Sequence, residues 1–436
     1  MELDVELHVE LTAGETAAFV AALRLYGREA PKAAAVALWP GPDGLTATLA
    51  GYAGSAQWRV CATPGPTAGV GFDAEAAALL AALKVVGKAP CRLSSGSATA
   101  GLTLSAGGFT RAIAGALSTV APPCWDWPAA RTAARLCMSE PELVALLTAV
   151  QTARAAPPQR LMPLYDICLS PAAEARDVLA EASNGEWYTR ARAPAVWHMA
   201  PPDGRRLRLP SLLCDWLLAL APRKGKAADG ASAAATWTFA FENVDGCAGE
   251  ARVCAARADG AYHLMAAGQT GGEFPPFAVV VDPVYARVTA GAPGFRVAAA
   301  ALLAATKQLA AAAGGLTQWT VHAWAFSAPA ADAPAALTLR GTGANTGCGT
   351  AAVPIEYVSG AARNAAPEAA PATDAYTAAY VIAVCAAALA HGPRAVLCWT
   401  RAGEYLGPTW VDIYPDDSAA EPVAGRGALI MPCRLD

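Results

Sequence analysis

At 436 residues, 55% hydrophobic and 16% charged, the chain is long enough for two or three compact units, each with its own core. No apolar stretch reaches the roughly 18 uncharged residues of a bilayer-spanning helix. The acidic, alternating start Met1-Glu-Leu-Asp-Val-Glu-Leu-His8 lacks the basic opening and apolar run of a signal peptide, so a cytoplasmic protein without membrane contact is expected. A net charge of −4 excludes a globally basic nucleic-acid binder, and any DNA contact must come from locally arranged Lys and Arg.

One order of elements recurs three times at a spacing of roughly 145 residues. In the first third, an amphipathic helix at about Glu15–Arg28 precedes strand-like runs at Ala34–Ala50 and Gln57–Ala62. A second helix at about Asp73–Val86 is followed by strands at Cys91–Ser95 and Gly101–Ser105. The second third opens with a helix at about Glu140–Arg154, where Ser139 can cap and Glu140 and Glu142 favour the positive helix end. A strand at Leu164–Leu169, a helix at about Pro210–Leu220 and a meander of Thr236–Glu242, Glu250–Ala256 and Ala261–Ala266 complete it. In the last third, helices at about Val297–Ala313 and Asp374–Ala390 bracket strands at Trp319–Trp324, Ala336–Arg340 and Ala352–Val358. Strands at Ala395–Thr400, Thr409–Tyr414 and Ala428–Leu435 close the chain.

Linkers are expected at Ala121-Pro-Pro-Cys-Trp-Asp-Trp-Pro128 and around Val281-Asp-Pro283, giving domains 1–130, 131–283 and 284–436. Ala/Pro/Gly-rich loops at Lys224–Ala234, Ser327–Pro334 and Ala361–Thr373 read as surface insertions. The fold class is α+β, with two helices packed on antiparallel sheets in each repeat. Strand edges at the ends of such repeats must pair with something. Head-to-tail pairing across subunits, into a closed ring, removes the open edges.

The 12 cysteines are scattered singly, Cys61, Cys91, Cys124, Cys168, Cys214, Cys254 and Cys385 among them, and read as reduced core residues. No Cys-x-x-Cys pair or His-Glu-x-x-His joins His8, His198, His263, His322 or His391 into a metal site. Gly341-Thr-Gly-Ala-Asn-Thr-Gly347 lacks the Gly-Lys-Ser/Thr ending of a phosphate loop and precedes a strand, so it reads as a turn. Asp215 has no partner acid or His at useful spacing. With no catalytic constellation, no metal and no cofactor, the chain is expected to be a binding protein and not an enzyme.

Several short segments carry a resemblance. The C-terminal Leu429-Ile-Met-Pro-Cys-Arg-Leu435 resembles the closing strand of the bacterial DNA polymerase III beta subunit (beta sliding clamp) family. Gly272-Glu-Phe-Pro-Pro-Phe-Ala-Val-Val-Val281 resembles that family's Gly-x-Phe-Pro segment, with Pro122-Pro-Cys-Trp-Asp-Trp-Pro128 in the equivalent place of the first repeat. Ala182-Ser-Asn-Gly-Glu-Trp-Tyr188 is similar to its Ala-Thr-Asp-Gly-His-Arg-Leu-like turn. There Gly185 is kept, Asn184 replaces Asp, and Glu186, Trp187 and Tyr188 depart.

The resemblance implies three processivity-fold domains, a homodimeric ring around duplex DNA, and a hydrophobic cleft between domains 2 and 3. Polymerases, repair proteins and the clamp loader would dock there through short hydrophobic peptide motifs. Carried over position by position, the cleft comprises Leu164, Ser183, Gly185, Trp187, Tyr188, Pro275, Val279, Val280, Val396, Cys398, Met431, Pro432, Cys433, Arg434 and Leu435. An apolar groove with adaptable sulfur-bearing walls suits the aliphatic and aromatic anchors of such peptides. DNA contact in a ring is electrostatic and independent of sequence. The candidates are Arg24, Arg28, Lys32, Lys84, Lys88, Arg154, Arg160, Arg223, Lys224 and Lys307, of which Arg28, in Gly27-Arg-Glu-Ala-Pro31, matches a basic family position. A clamp-like accessory or competitor protein that binds partners without encircling DNA is the alternative reading.

Overall fold

The computed structural model describes residues 8–29, 35–41, 44–51, 54–61, 71–87, 89–95, 101–118, 132–154, 164, 166–172, 176–185, 187–202, 205–220, 235–244, 252–267, 273–289, 294–312, 321–326, 336–343, 346–357, 373–401, 409–419, 422–423 and 427–430.

Within these residues one module occurs six times: a strand, a helix that follows it directly, and three antiparallel strands. The first runs His8–Leu11, helix Ala13–Glu29, then Ala35–Gly41, Gly44–Gly51 and Gly54–Cys61. The second runs Gly71–Glu75, helix Ala76–Val86, then Cys91–Ser95, Gly101–Ala106 and Phe109–Ser118. The third is Ala134–Ser139, helix Glu140–Val150, Ile167–Pro171, Asp177–Ser183 and Trp187–Pro194. The fourth is Leu207–Leu209, helix Ser211–Leu220, Thr236–Phe241, Arg252–Arg257 and Tyr262–Ala267. The fifth is Gly294–Ala298, helix Ala299–Ala312, Val321–Phe326, Ala336–Gly343 and Thr346–Pro354. The sixth is Thr373–Thr377, helix Ala378–Leu389, Val396–Arg401, Thr409–Tyr414 and Gly427–Ile430.

Modules interlock in pairs, because the leading strand of each joins the three-stranded ladder of its neighbour. His8–Leu11 pairs with Cys91–Ser95 of the second module, and Gly71–Glu75 pairs with Ala35–Gly41 of the first. Neither module of a pair completes its sheet alone.

The chain forms two compact units: Met1–Leu147 with Cys168–Val178 and Ala193–Glu273, and Thr148–Ile167 with Leu179–Arg192 and Phe274–Asp436. The first unit holds the 13-stranded sheet, in which Gly54–Cys61 and Tyr262–Ala267 pair antiparallel and fuse two modules edge to edge. Its core includes Phe19, Phe72, Trp237, Phe239 and Phe241. Helix Ala13–Glu29 packs on both Ala76–Val86 and Ser211–Leu220. In the second unit, Trp187–Pro194 and Gly427–Ile430 make the same kind of junction, and helices Ala299–Ala312 and Ala378–Leu389 pack together. The strand Asp177–Ser183 begins in the first unit and ends in the second.

Three helices read from sequence begin too early. Asp73, Val297 and Asp374 lie in the strands Gly71–Glu75, Gly294–Ala298 and Thr373–Thr377, and the helices start after those strands, at Ala76, Ala299 and Ala378. Each strand is five residues long and runs into an Ala-rich segment whose helix propensity masks the boundary. The linker expected around Val281-Asp-Pro283 is instead part of a seventh helix, Ala278–Thr289, with Pro283 inside it. Its β-branched run Ala278-Val-Val-Val281 has poor helix propensity, and burial of Val281 and Val284 overrides that. The helix expected to Arg154 ends at Val150 and continues as one 3₁₀ turn, Gln151–Ala153. The glycine-rich segment 341–347 falls in the hairpin between Ala336–Gly343 and Thr346–Pro354, with Gly343 opposite Thr346. The linker at 121–128, Cys124, and the loops at 224–234, 327–334 and 361–372 lie outside the described residues.

Candidate partner-binding site

The junction in the second unit builds a mixed aromatic and charged surface. Its register sets Tyr188 opposite Leu429 and Arg190 opposite Gly427; on the next strand Leu429 faces Trp410 and Gly427 faces Asp412. Because strand side chains alternate, Tyr188, Arg190, Leu429, Trp410 and Asp412 share one face. Helix Ala278–Thr289 covers part of it, burying Val281 and Val284 against Tyr188, Trp410 and Leu429, with Phe277 at the border. Gly427 is required here: a Cβ at that position would sit 2.2 Å from the Trp410 ring.

At the margin of this cluster, Tyr285 and Trp410 meet edge to face, 5.5 Å between ring centroids and 71° apart. The Arg190 guanidinium rests against both rings, 4.6 Å from the Tyr285 centroid and 4.7 Å from that of Trp410. Its Nε is buried without an acceptor, and among the described residues Arg190 makes no hydrogen bond or ion pair. Asp412, the nearby carboxylate, instead accepts a 2.7 Å hydrogen bond from Trp410 Nε1. Burial pushes the Asp412 carboxyl above its ordinary range, against the downward pull of that bond and of the Arg190 charge.

The turn before this strand is tightly specified. Ser183 Oγ donates to the Trp187 carbonyl at 2.8 Å and accepts from the Gly185 N–H at 3.1 Å, while Asn184 Oδ1 accepts from the Trp187 N–H at 3.0 Å. Gly185 has φ +92°, a conformation that an L side chain rarely adopts. Leu164 packs under this glycine. Trp187 stacks on Tyr380 at 5.6 Å and 19°, and Asn184 Nδ2 donates to the Tyr380 hydroxyl at 3.2 Å.

The structure thus brings Leu164, Ser183, Gly185 and Trp187 into one cluster and Tyr188 into the next. Leu164, Ser183, Trp187, Tyr188, Val396 and Cys398 are all buried. Pro275 is half-buried, and its carbonyl accepts from the Phe277 N–H in the turn that starts the extra helix. Val279 and Val280 are exposed on that helix, at 72% and 45%. Cys398 lies opposite Asp412, and Val396 lies opposite Tyr414. Met431, Pro432, Cys433, Arg434 and Leu435 lie outside the described residues. Arg190, Tyr285, Trp410 and Asp412 were not anticipated. Arg190 and Asp412 each stand two residues from an aromatic, the alternation of one strand face, but their convergence requires the register.

Of the cations expected to face DNA, Arg24, Lys84 and Lys307 are exposed on helices Ala13–Glu29, Ala76–Val86 and Ala299–Ala312. Arg28 lies on the first of these helices, but its side chain is outside the described set. Arg154 is half-buried beside the 3₁₀ turn, and its Nε donates to the Gln151 carbonyl at 3.5 Å. Lys32, Lys88, Arg160, Arg223 and Lys224 lie outside the described residues.

No protein-family model and no curated protein sequence matches the chain. Solved structures do. The DNA polymerase III beta subunit of Thermotoga maritima superposes with a TM-score of 0.70 at 13% identity, over 99% of this chain and 100% of that one. The DnaN sliding clamp of Pseudomonas aeruginosa bound to griselimycin gives 0.70 at 12% identity, and the beta sliding clamp of C. crescentus gives 0.67 at 16%, both with the same coverage. The chain has the fold of the bacterial sliding clamp. In its second unit, the clamp fold places the Arg190 corner at the junction where the third module's last strand meets the sixth's.

Proposed function

We propose that this protein is a DNA sliding clamp: a ring-shaped, non-catalytic processivity factor that encircles duplex DNA as a homodimer and tethers DNA polymerase, clamp loader and repair proteins. The pattern of strand edges carries this reading. Twice, the last strand of a pair's first module joins the last strand of the following pair's second module: Gly54–Cys61 with Tyr262–Ala267, and Trp187–Pro194 with Gly427–Ile430. The same rule leaves Thr346–Pro354 of the fifth module at a sheet edge, and Phe109–Ala114 of the second module paired on one side only. A second copy supplies the partner for each, and two such junctions close the ring.

DNA contact in this reading is sequence-independent, through Arg24, Arg28, Lys32, Lys84, Lys88, Arg154, Arg160, Arg223, Lys224 and Lys307, and topology holds the ring on DNA where each contact is weak. Partner peptides dock along the cleft residues named from sequence, of which Val279 and Val280 are exposed. None of the described helices is long and apolar enough to cross a membrane.

Light scattering tests the assembly, with an expected mass of twice the 44.3 kDa chain. Loaded protein should then be retained on nicked circular duplex and lost from it on linearisation. A monomer at micromolar concentration, or equal loss from both DNAs, would overturn the clamp in favour of the accessory reading.

A further inference from the structure

Of the six large apolar side chains exposed among the described residues, three stand on helix Ala278–Thr289, and two stand on one four-residue strand, Val196–Met199. These two are Val196, 59% exposed, and Met199, 47% exposed. Their strand ends the 13-stranded sheet: it pairs with Ala134–Ser139 and has no further neighbour among the described strands. Residues three apart on a strand ordinarily point to opposite faces. Here an irregularity between Trp197 and Met199 shifts the register, so that Val196 lies opposite Cys137 and Met199 opposite Arg135. Both apolar side chains therefore share the face of Arg135 and Cys137, the reverse of the face on which Leu136 is buried. Trp197, opposite Leu136, turns the other way, and its Nε1 donates to the Asp177 carbonyl at 3.1 Å and anchors the strand.

Cations surround the exposed pair. Arg135 is exposed directly across from Met199. Arg176 is exposed at the other end, where its carbonyl accepts from the Ala195 N–H at 2.8 Å. Arg205, also exposed, follows the strand in a turn closed by its N–H on the Pro202 carbonyl at 3.0 Å. Among the described residues the side chains of Arg135 and Arg176 make no hydrogen bond or ion pair.

We propose that this strand and its arginines form a docking surface for an acidic, extended segment of a partner protein, whose apolar side chains cover Val196 and Met199 and whose carboxylates meet Arg135 and Arg176. Charge complementarity names the occupant. Guanidinium groups on either side of an apolar pair match carboxylates on either side of apolar side chains. A DNA backbone supplies phosphates but nothing for the valine and methionine to bury against. The register irregularity, with Pro194 and Pro201 flanking the strand, opposes growth of the sheet by a further strand, so side chains and not a backbone ladder hold the segment. This surface lies in the first unit, whereas Leu164, Ser183, Tyr188 and Val396 of the cleft lie in the second, and the inference does not depend on the ring.

The test measures, by anisotropy, binding to the full-length protein of a fluorescein-labelled, C-terminally amidated Asp-Ser-Val-Ser-Leu-Ser-Glu peptide and of its Asn/Gln counterpart. In an extended chain its acids and apolar residues share one face. The acidic peptide is expected to bind about tenfold tighter at low salt, as two partly exposed charge pairs together provide, and the ratio should approach one at high salt. Arg135→Gln with Arg176→Gln should remove the ratio, and Val196→Thr with Met199→Thr should weaken both peptides. All four side chains are exposed, so the circular-dichroism spectra should stay unchanged. In protein labelled with ¹³C-methyl methionine, the Met199 methyl resonance, identified by its loss in Met199→Leu, should shift on adding the acidic peptide, a readout that needs no weakened variant. Equal binding of the two peptides, binding of neither, or the same methyl shift with a short DNA duplex would overturn the proposal. A halved light-scattering mass in the Val196→Thr, Met199→Thr variant would overturn it as well, by making this face a contact between copies. Retention on circular DNA is read separately, so a ring that slides on DNA but ignores the acidic peptide refutes this inference alone.

Discussion

At the residue scale, close packing makes two glycines of one fold respond oppositely. Gly427→Ala must displace the buried Trp410 ring, and a cost of about 1–3 kcal/mol is expected from overpacking, read as a lower urea midpoint. At Gly101 an added Cβ meets nothing closer than the Ile113 carbonyl at 3.7 Å, so Gly101→Ala should leave the midpoint unchanged or raise it. Asp412 supplies a pH signature. Its folded-state pKa lies above the unfolded value, so the ionised form is disfavoured by folding and costs stability above that folded pKa; the cost disappears as pH falls below the ordinary carboxylate value of 3.8. Asp412→Asn keeps an acceptor for Trp410 Nε1. It should therefore melt higher than wild type at neutral pH, and this difference should shrink towards pH 3. Two thiols are held protonated by burial, which pushes Cys385 up to about 12 and Cys254 up to about 11.

At the element scale, helix starts are governed by local chemistry. Thr12 and Glu15 form a reciprocal capping box, with the Thr12 N–H donating to Glu15 Oε2 at 2.7 Å and the Glu15 N–H donating to Thr12 Oγ1 at 3.3 Å. Thr12→Ala should cost about 1 kcal/mol, measurable by urea unfolding. At the start of helix Glu140–Val150, where Ser139 was read as a cap, its Oγ instead donates to Glu142 Oε2 at 2.6 Å, a side-chain bond across the first turn. The leading strands were harder to see. Gly71–Glu75 and Thr373–Thr377 find their hydrogen-bond partners in a neighbouring module's ladder, so nothing local separates them from the helices that follow. Helix Ala278–Thr289 was hidden for a related reason: its valines favour strand locally, and the face formed by Tyr188, Trp410 and Leu429 decides otherwise.

At the scale of the whole molecule, the proposed ring stands on two edges rich in small residues. Ala112 and Ala352 are exposed on Phe109–Ser118 and Thr346–Pro354. A lysine on an edge strand blocks edge-to-edge pairing without disturbing the strand's own sheet. Ala112→Lys and Ala352→Lys are each expected to halve the light-scattering mass and abolish retention on circular DNA, with the circular-dichroism spectrum unchanged. A dimer that survives both substitutions would place the contact between copies elsewhere.

Hydrophobic periodicity made a recurring order of helices and strands legible, because helix and strand periods are local properties of the chain; that the described residues hold six interlocked modules was decided by strand pairing. The α+β class followed from the same pattern. The turn at Ala182–Tyr188 was legible through its resemblance to a family turn, and the structure shows why it forms: Ser183 and Asn184 side chains bond their own backbone around Gly185. Tertiary structure alone decided which strands exchange between modules, and which residues meet at the junction of Trp187–Pro194 with Gly427–Ile430. Arg190 and Trp410 are more than 200 residues apart in the chain and meet through a ladder register that pairs Arg190 with Gly427 and Gly427 with Asp412. A register is set by the sum of many side-chain fits across separate strands, and no window of sequence contains that sum.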